Sequence, residues 1–146
     1  MQTEATPHPY SATPICFEPI GVVHSPFRSL DQLPRQPWYA PEAEGWIEVF
    51  PQYEEGLHLI ERRRWILVVS YLHRADVRKM LVVPDGAKEP IGVFGARASY
   101  RPNPIAVSRM ELVGRDGTRL NVRQIDLLDG TPVLDIKTYI ERRQGE

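Results

Sequence analysis

Cysteine is nearly missing from this chain. Cys16 stands alone, which leaves no disulfide framework and no cysteine-built zinc site, and fits a cytosolic compartment. Lysine is scarce too: Lys79, Lys88 and Lys137 are the three lysines among 18 basic residues, and the other 15 are arginines. Arginine is the residue of planar, two-pronged contact with carboxylates and phosphates, although an arginine-rich genome gives the same bias. A dominant charge sign is also lacking, since the formal net charge is −1, so no global field points to a polyanionic partner. No uninterrupted apolar run reaches membrane-spanning length. The opening stretch MQTEATPHPYSATPI carries an acid and prolines where a secretory signal needs a basic start and an apolar run. There is no glycine-rich phosphate loop, no His-Glu-x-x-His pair and no Gly-x-Ser-x-Gly elbow. The dinucleotide-binding glycine pattern is missing as well, which speaks against a Rossmann-type site. His8, His24, His58 and His73 are not spaced as local metal ligands, so no metal is expected.

Proline, by contrast, is abundant. Fourteen in 146 residues argue against a helical bundle and for strands joined by stiff connections. The length is that of one domain and suffices for a substantial core. Residues 1–15 read as a disordered Pro/Thr/Ser-rich tail, and a single domain is expected over 16–142. Phe17 to Ser25 reads as a first strand ended by Pro26. Residues 28–44 form a long loop in which Trp38 and Tyr39 need something to cover them. Gly45 to Phe50 is a strand. From Gln52 to Arg63, Tyr53, Leu57 and Ile60 fall at helical steps, and Arg62-Arg63-Arg64 at the end complements a helix dipole or holds nucleic-acid phosphates. Trp65 to Leu72 is apolar on both faces, as a fully buried central strand would be. Met80 to Val83 is a second apolar piece, closed by Pro84-Asp85-Gly86, and Ile91 to Arg97 enters the next strand. Ile105 to Val113 alternates, Asp116-Gly117 signals a hairpin, Leu120 to Ile125 returns, and Val133 to Tyr139 ends the set. No βαβ rhythm is present. The pattern predicts a mainly β fold: an antiparallel β-barrel or strongly curved sheet with one or two short helices.

Gly92 to Ser108, GVFGARASYRPNPIAVS, is the stretch least explained by packing. Pro102 and Pro104 push Arg101 and Asn103 towards extended backbone and give no N–H to a ladder, so two guanidinium forks and an amide are held at fixed spacing. Further polar clusters fall at strand ends: Ser25-Pro26, Pro34-Arg35-Gln36, His73-Arg74 and Asp129-Gly130-Thr131-Pro132. Such clusters suit a cleft at one barrel mouth. Arg35, Arg74, Arg97 or Arg101 can grip a carboxylate or phosphate, Asp129 an amine or ribose hydroxyl, and the Gly130 and Thr131 amides can close around a ligand. Asp129-Gly130 reads equally as a plain turn, and His73 as a packed strand-end histidine.

Gly92-Val93-Phe94 through Arg101-Pro102-Asn103-Pro104-Ile105, followed by Ser108, resembles the signature of the TrmO-like (TsaA-domain) tRNA methyltransferases. Ile20-Gly21-Val22-Val23-His24-Ser25-Pro26-Phe27, Pro34-Arg35-Gln36, Leu72-His73-Arg74-Ala75 and Asp126 to Lys137 match the family in the same order, so the resemblance covers about residues 19–140. It implies S-adenosylmethionine bound by an unusual β-barrel, generally a homodimer, and methyl transfer to N6 of threonylcarbamoyl-adenosine next to the anticodon in tRNA. By motif match, cofactor contacts fall on Pro34, Arg35, Gln36, His73, Arg74, Arg97, Val107, Asp129, Gly130, Thr131 and Pro132. Arg101 and Asn103 are expected to face the acceptor, where the rigid setting between two prolines suits Asn103 to accept from the N6–H and Arg101 can hold a tRNA phosphate. The chain departs from the family where Thr-Arg-Ser-Pro is usual and Ala96-Arg97-Ala98-Ser99 stands, where Ala106 replaces a glycine, and where Thr138 replaces a proline. It matches the short form, without the C-terminal extension of longer members.

Three readings follow: the tRNA methyltransferase, the same cofactor with a small-molecule or other RNA acceptor, and a non-enzymatic barrel binding RNA or an anionic metabolite. A cytoplasmic location and no membrane partner are expected for all three. No catalytic base is identifiable from the residues alone.

Overall fold

Alternation of side chains decides the architecture. In the computed structural model, which describes residues 6–140, eight strands form. They are β1 (Gly21–His24), β2 (Glu44–Val49), β3 (Trp65–Tyr71), β4 (Leu81–Val82), β5 (Ile91–Gly92), β6 (Ile105–Asp116), β7 (Arg119–Arg123) and β8 (Pro132–Thr138). Residues 1–5 of the expected tail, and the domain end at 142, lie outside the described residues. Six strands close into an antiparallel barrel in the order β1-β2-β7-β6-β3-β8, and β4 and β5 pair apart from it. Closure removes every sheet edge from the barrel, which is the strongest protection against edge pairing a β fold has.

Every second residue points inward. Val23, Ile47, Val49, Ile66, Val68, Met110, Leu120, Val122 and Val133 are almost wholly buried and fill the interior. Each such side chain contributes roughly 1.5–3 kcal/mol relative to exposure. Trp65–Tyr71 therefore differs from the expected strand buried on both faces: Ile66, Val68 and Ser70 are inside, while Trp65, Leu67 and Val69 lie half-buried on the outer wall. A barrel offers a strand only one buried face. Two register shifts help the sheet curl, one between Leu112 and Gly114 in β6 and one where β8 passes Val69 and Ser70.

The expected helix over 52–63 is present as two 3-10 segments, Pro51–Leu57 and Ile60–Arg62. Leu59 interrupts them with φ 66. The apolar spacing still does what it promised, because Leu57 is buried and Tyr53 and Ile60 pack against the core, plugging one end of the barrel. The long first strand expected from Phe17 shortens to Gly21–His24, with Phe17 69% exposed. Ile91–Arg97 likewise pairs only over Ile91–Gly92, then turns into a 3-10 segment at Val93–Gly95. The Asp116-Gly117 signal is accurate: β6 and β7 join through Gly117-Thr118, with Asp116 opposite Arg119.

Candidate functional site

The registers put three connections at the same end of the barrel. His24 pairs with Trp46, Tyr71 with Ile105, and Ser70 with Val133, so β1, β3 and β7 finish there while β2, β6 and β8 begin. The connections at this mouth are residues 25–43, 72–104 and 124–131. They carry Pro34, Arg35, Gln36, His73, Arg74, Arg97, Arg101, Asn103 and Asp129 to Thr131. Pro132 opens β8 at the same rim. Arg62-Arg63-Arg64 lies at the opposite end, before β3, on the order of 20 Å away by strand rise.

The Asp129 turn is built from inside. Asp129 N donates to the Phe27 carbonyl at 2.8 Å, Gly130 N to Val23 O at 2.8 Å, and Thr131 N to Leu128 O at 3.1 Å. Thr131 is buried, and its hydroxyl donates to Leu128 O at 2.6 Å. Gly130 takes φ 83, a conformation that side chains other than hydrogen rarely adopt. The Gly130 and Thr131 amides are thus already engaged, and the polar group this turn offers outward is the Asp129 carboxylate. Ser25 N donates to its Oδ1 at 2.9 Å and Arg28 to its Oδ2 at 2.8 Å. Ser25 Oγ in turn donates to Leu127 O at 2.6 Å, locking the 25–28 loop to the 126–131 loop.

The 72–104 excursion is fastened at its root and across its middle. Leu72 N donates to Pro104 O at 2.7 Å, and Val93 N to Met80 O at 2.8 Å. Arg101 sends one guanidinium nitrogen to the Ala96 carbonyl at 2.8 Å and to the Ala98 carbonyl at 3.2 Å. Expected to face an acceptor, it also braces the loop that presents Arg97. The backbone on either side of the two prolines is drawn tight by Arg101 N to Ser99 O at 3.0 Å and Ile105 N to Asn103 O at 2.7 Å, and Asn103 is exposed. Arg35 reaches Asp85 of the excursion at 3.5 Å, which links it to the 25–43 loop. His73 is half-buried, and burial together with the Arg74 charge holds its imidazolium pKa below the usual value.

Sequence reasoning missed Asp126. Burial pushes its carboxyl pKa above the ordinary value of 3.8, while the Ser108 hydroxyl, its own backbone amide and the Arg97 charge partly oppose the rise. Its Oδ1 and the Ser70 hydroxyl are the two buried side-chain polar atoms without a hydrogen-bond partner among the described residues. Ser70, Ser25 and Thr131 lie at the mouth end, Asp126 lies in the 124–131 connection, and the buried Ser108 lies deeper, opposite Val68 in the middle of β3; the other buried residues described are apolar. A single acid inside Ile125-Asp126-Leu127-Leu128 was the available signal.

Two features sit apart. Val107 points outward from β6 and is 52% exposed, on the wall rather than in the mouth. A surface concavity between the Pro51–Leu57 segment and Ile20 lies at the far end; its charged lining is Glu55 and Asp135, the wrong sign for a carboxylate or phosphate. Among the described residues no three His, Cys, Asp or Glu side chains gather as a metal site, and no helix is long and apolar enough to cross a membrane.

The family model of the tRNA-methyltransferase O N-terminal domain matches residues 22–144. A Pyrococcus abyssi protein described as a probable S-adenosyl-L-methionine-binding protein is 47% identical over 126 residues, covering 86% of this chain and 68% of that one. The tRNA (adenine(37)-N6)-methyltransferase of Escherichia coli is 36% identical over 135 residues, covering 85% of this chain and 57% of its own length. A crystal structure of TrmO from Pseudomonas aeruginosa superposes with a TM-score of 0.74 at 36% identity, covering 92% of this chain and 63% of that one. The chain thus spans less than two thirds of the E. coli and P. aeruginosa relatives. On a match that takes in every strand of the barrel, the chain belongs to the TrmO family.

Proposed function

We propose that this chain is an S-adenosylmethionine-dependent methyltransferase acting on N6 of threonylcarbamoyl-adenosine beside the anticodon of tRNA. The observation that carries the reading is the gathering of Arg35, His73-Arg74, Arg97 and the Asp129 turn at one mouth of a closed barrel. Their donors and acceptors fit the cofactor: guanidinium forks for its carboxylate, and the Asp129 carboxylate for its amine or ribose hydroxyls. Pro34 and Gln36 shape the loop that presents Arg35, and Pro132 fixes the end of the Asp129 turn.

S-adenosylmethionine supplies a methyl group already activated on a sulfonium, so the protein's part is position and exclusion of water. Arg101 holds the 96–98 backbone, and with it Arg97, against drift. Asn103, exposed between two prolines, orients the acceptor's N6–H. Trp38 and Tyr39, 59% and 65% exposed beside Arg35, offer flat faces on which nucleobases stack. The protein works in the cytoplasm as a homodimer. Tyr71, Met80, Leu81, Phe94, Ile105 and Val107 are exposed apolar residues on and around the excursion, and a second copy covers them.

The test is direct. The chain is incubated with the methyl donor and with tRNA bearing threonylcarbamoyl-adenosine, and the digested nucleosides are resolved by mass spectrometry. One added methyl on that nucleoside is expected. Its absence, or a methyl on a different acceptor, contradicts the assignment.

A further inference from the structure

Among the described residues, two ion pairs lie within the three mouth connections, and they differ in kind. Arg35 reaches Asp85 at 3.5 Å with both side chains largely in water. Arg28 reaches Asp129 Oδ2 at 2.8 Å, and here the cation is the exposed partner: the Arg28 side chain is 74% exposed and that of Asp129 25%. The carboxylate is fixed. Ser25 N holds Oδ1 at 2.9 Å, and Asp129 N is tied to Phe27 O at 2.8 Å. The stem of Arg28 is fixed as well, because its N–H donates to Gln32 Oε1 at 2.7 Å and Phe27 N to Ser25 Oγ at 3.2 Å. Its guanidinium has one partner among the described residues, Asp129. The pair therefore joins an anchored anion to a cation that can swing out into water.

We propose that Arg28 is a built-in competitor of the cofactor: its guanidinium occupies the Asp129 oxygen that the ammonium of S-adenosylmethionine takes, and leaves when that ammonium arrives. The inference rests on the reading that puts the cofactor at Asp129, and it selects the amine rather than the ribose hydroxyls as the partner of that carboxylate. Oδ2 accepts from a charged N–H donor on an exposed side chain at 2.8 Å, which is the contact an ammonium makes. A ribose hydroxyl can share the carboxylate with Arg28, since a carboxylate offers about four acceptor sites. A second cation cannot do so without repulsion. Exchange is easy, because an ion pair with an exposed arm is weak and departure restores the rotamer freedom of a long side chain. One cation replaces another, so Asp129 keeps a positive partner throughout. The product of methyl transfer carries the same ammonium, so Arg28 opposes it equally and speeds its release.

The experiment reads the sign of one substitution. S-adenosylmethionine, S-adenosylhomocysteine and methylthioadenosine, which lacks the amino-acid end, are titrated by calorimetry into wild type, Arg28→Gln and Arg28→Lys. Arg28→Gln is expected to bind the first two ligands about two- to fivefold more tightly than wild type, the range an exposed competing ion pair allows. Arg28→Lys keeps the charge and is expected to bind as wild type does. Methylthioadenosine is expected to bind all the proteins alike. Weaker binding of S-adenosylmethionine by Arg28→Gln overturns the proposal, because Arg28 is then a grip on the cofactor. Tightening of less than about twofold overturns it too. So does an equal tightening of methylthioadenosine, because Asp129 then meets the ribose. Wild type that binds no S-adenosylmethionine refutes the placement of the cofactor and this inference with it. Wild type that binds it and methylates no tRNA refutes the acceptor reading alone, and the affinity of Arg28→Gln still decides the inference.

Discussion

Asp126 and His73 stand in the same mouth, and burial moves them in opposite directions. The folded pKa of Asp126 lies above its unfolded value near 3.8, so its favourable contribution to stability is present below that value and is lost as pH rises through the folded pKa. Above that unfolded value the chain therefore bears a cost for burying Asp126. Asp126→Asn is expected to raise Tm by about 3 °C at pH 7 to 8, with the gap closing towards pH 4; a lower Tm at neutral pH contradicts this account of the site. His73 runs the other way. Its folded pKa lies below 6.5, so its contribution is present above that value and is lost as pH falls through the folded pKa. Asp126 was not legible as a candidate site residue because its sequence neighbours, Ile125, Leu127 and Leu128, are buried core. The arginines and Asn103 were legible because prolines 102 and 104 left them no packing role. That reading did not extend to Arg101's bonds with the Ala96 and Ala98 carbonyls, since a guanidinium's partner depends on how the loop folds back.

At the scale of elements, the β1–β2 pair is where the mouth is least tolerant. A Cβ on Gly45 would run into the His24 carbonyl oxygen and come within 2.9 Å of Ile125 Cδ1. Backbone cannot yield there without breaking the His24–Trp46 register beside Ser25 and the Asp129 loop. Gly45→Ala is expected to destabilise by about 2–3 kcal/mol in chemical denaturation, and a change under about 0.5 kcal/mol contradicts the close approach. The strands themselves were largely readable, because period-two alternation and the Asp-Gly turns are local signals. Strand lengths and helix type were less so. Phe17 to Pro19 has the composition of a strand but pairs with no neighbour among the described residues; pairing begins at Ile20, which donates to Val133 O at 2.8 Å and accepts from Phe50 N at 2.9 Å. The 52–63 segment has helical spacing, yet Pro51, Gly56 and the turn at Leu59 shape it as a 3-10 plug over the barrel end.

For the whole molecule, the alternation of strand direction around a closed barrel sorts the connections into two ends. One end receives the hairpin at Gly117-Thr118, the 3-10 plug and the arginine run at 62–64; the other receives three connections that together hold the polar clusters. The sequence has these clusters scattered over about a hundred positions, so only closure reveals that they share a rim. The three connections carry Arg28, Arg35, Arg74, Arg78, Arg97 and Arg101 alongside a similar number of acids, so an anionic group is held here by individual guanidinium forks and not by a general excess of charge. Titration of the purified chain with S-adenosylmethionine by calorimetry tests this most directly. Saturable binding at one site per chain is expected, weakened on the order of tenfold or more by Arg97→Ala, as loss of a charge-assisted contact requires. Absence of binding up to millimolar cofactor, or an Arg97→Ala protein that binds as tightly as wild type, would contradict it.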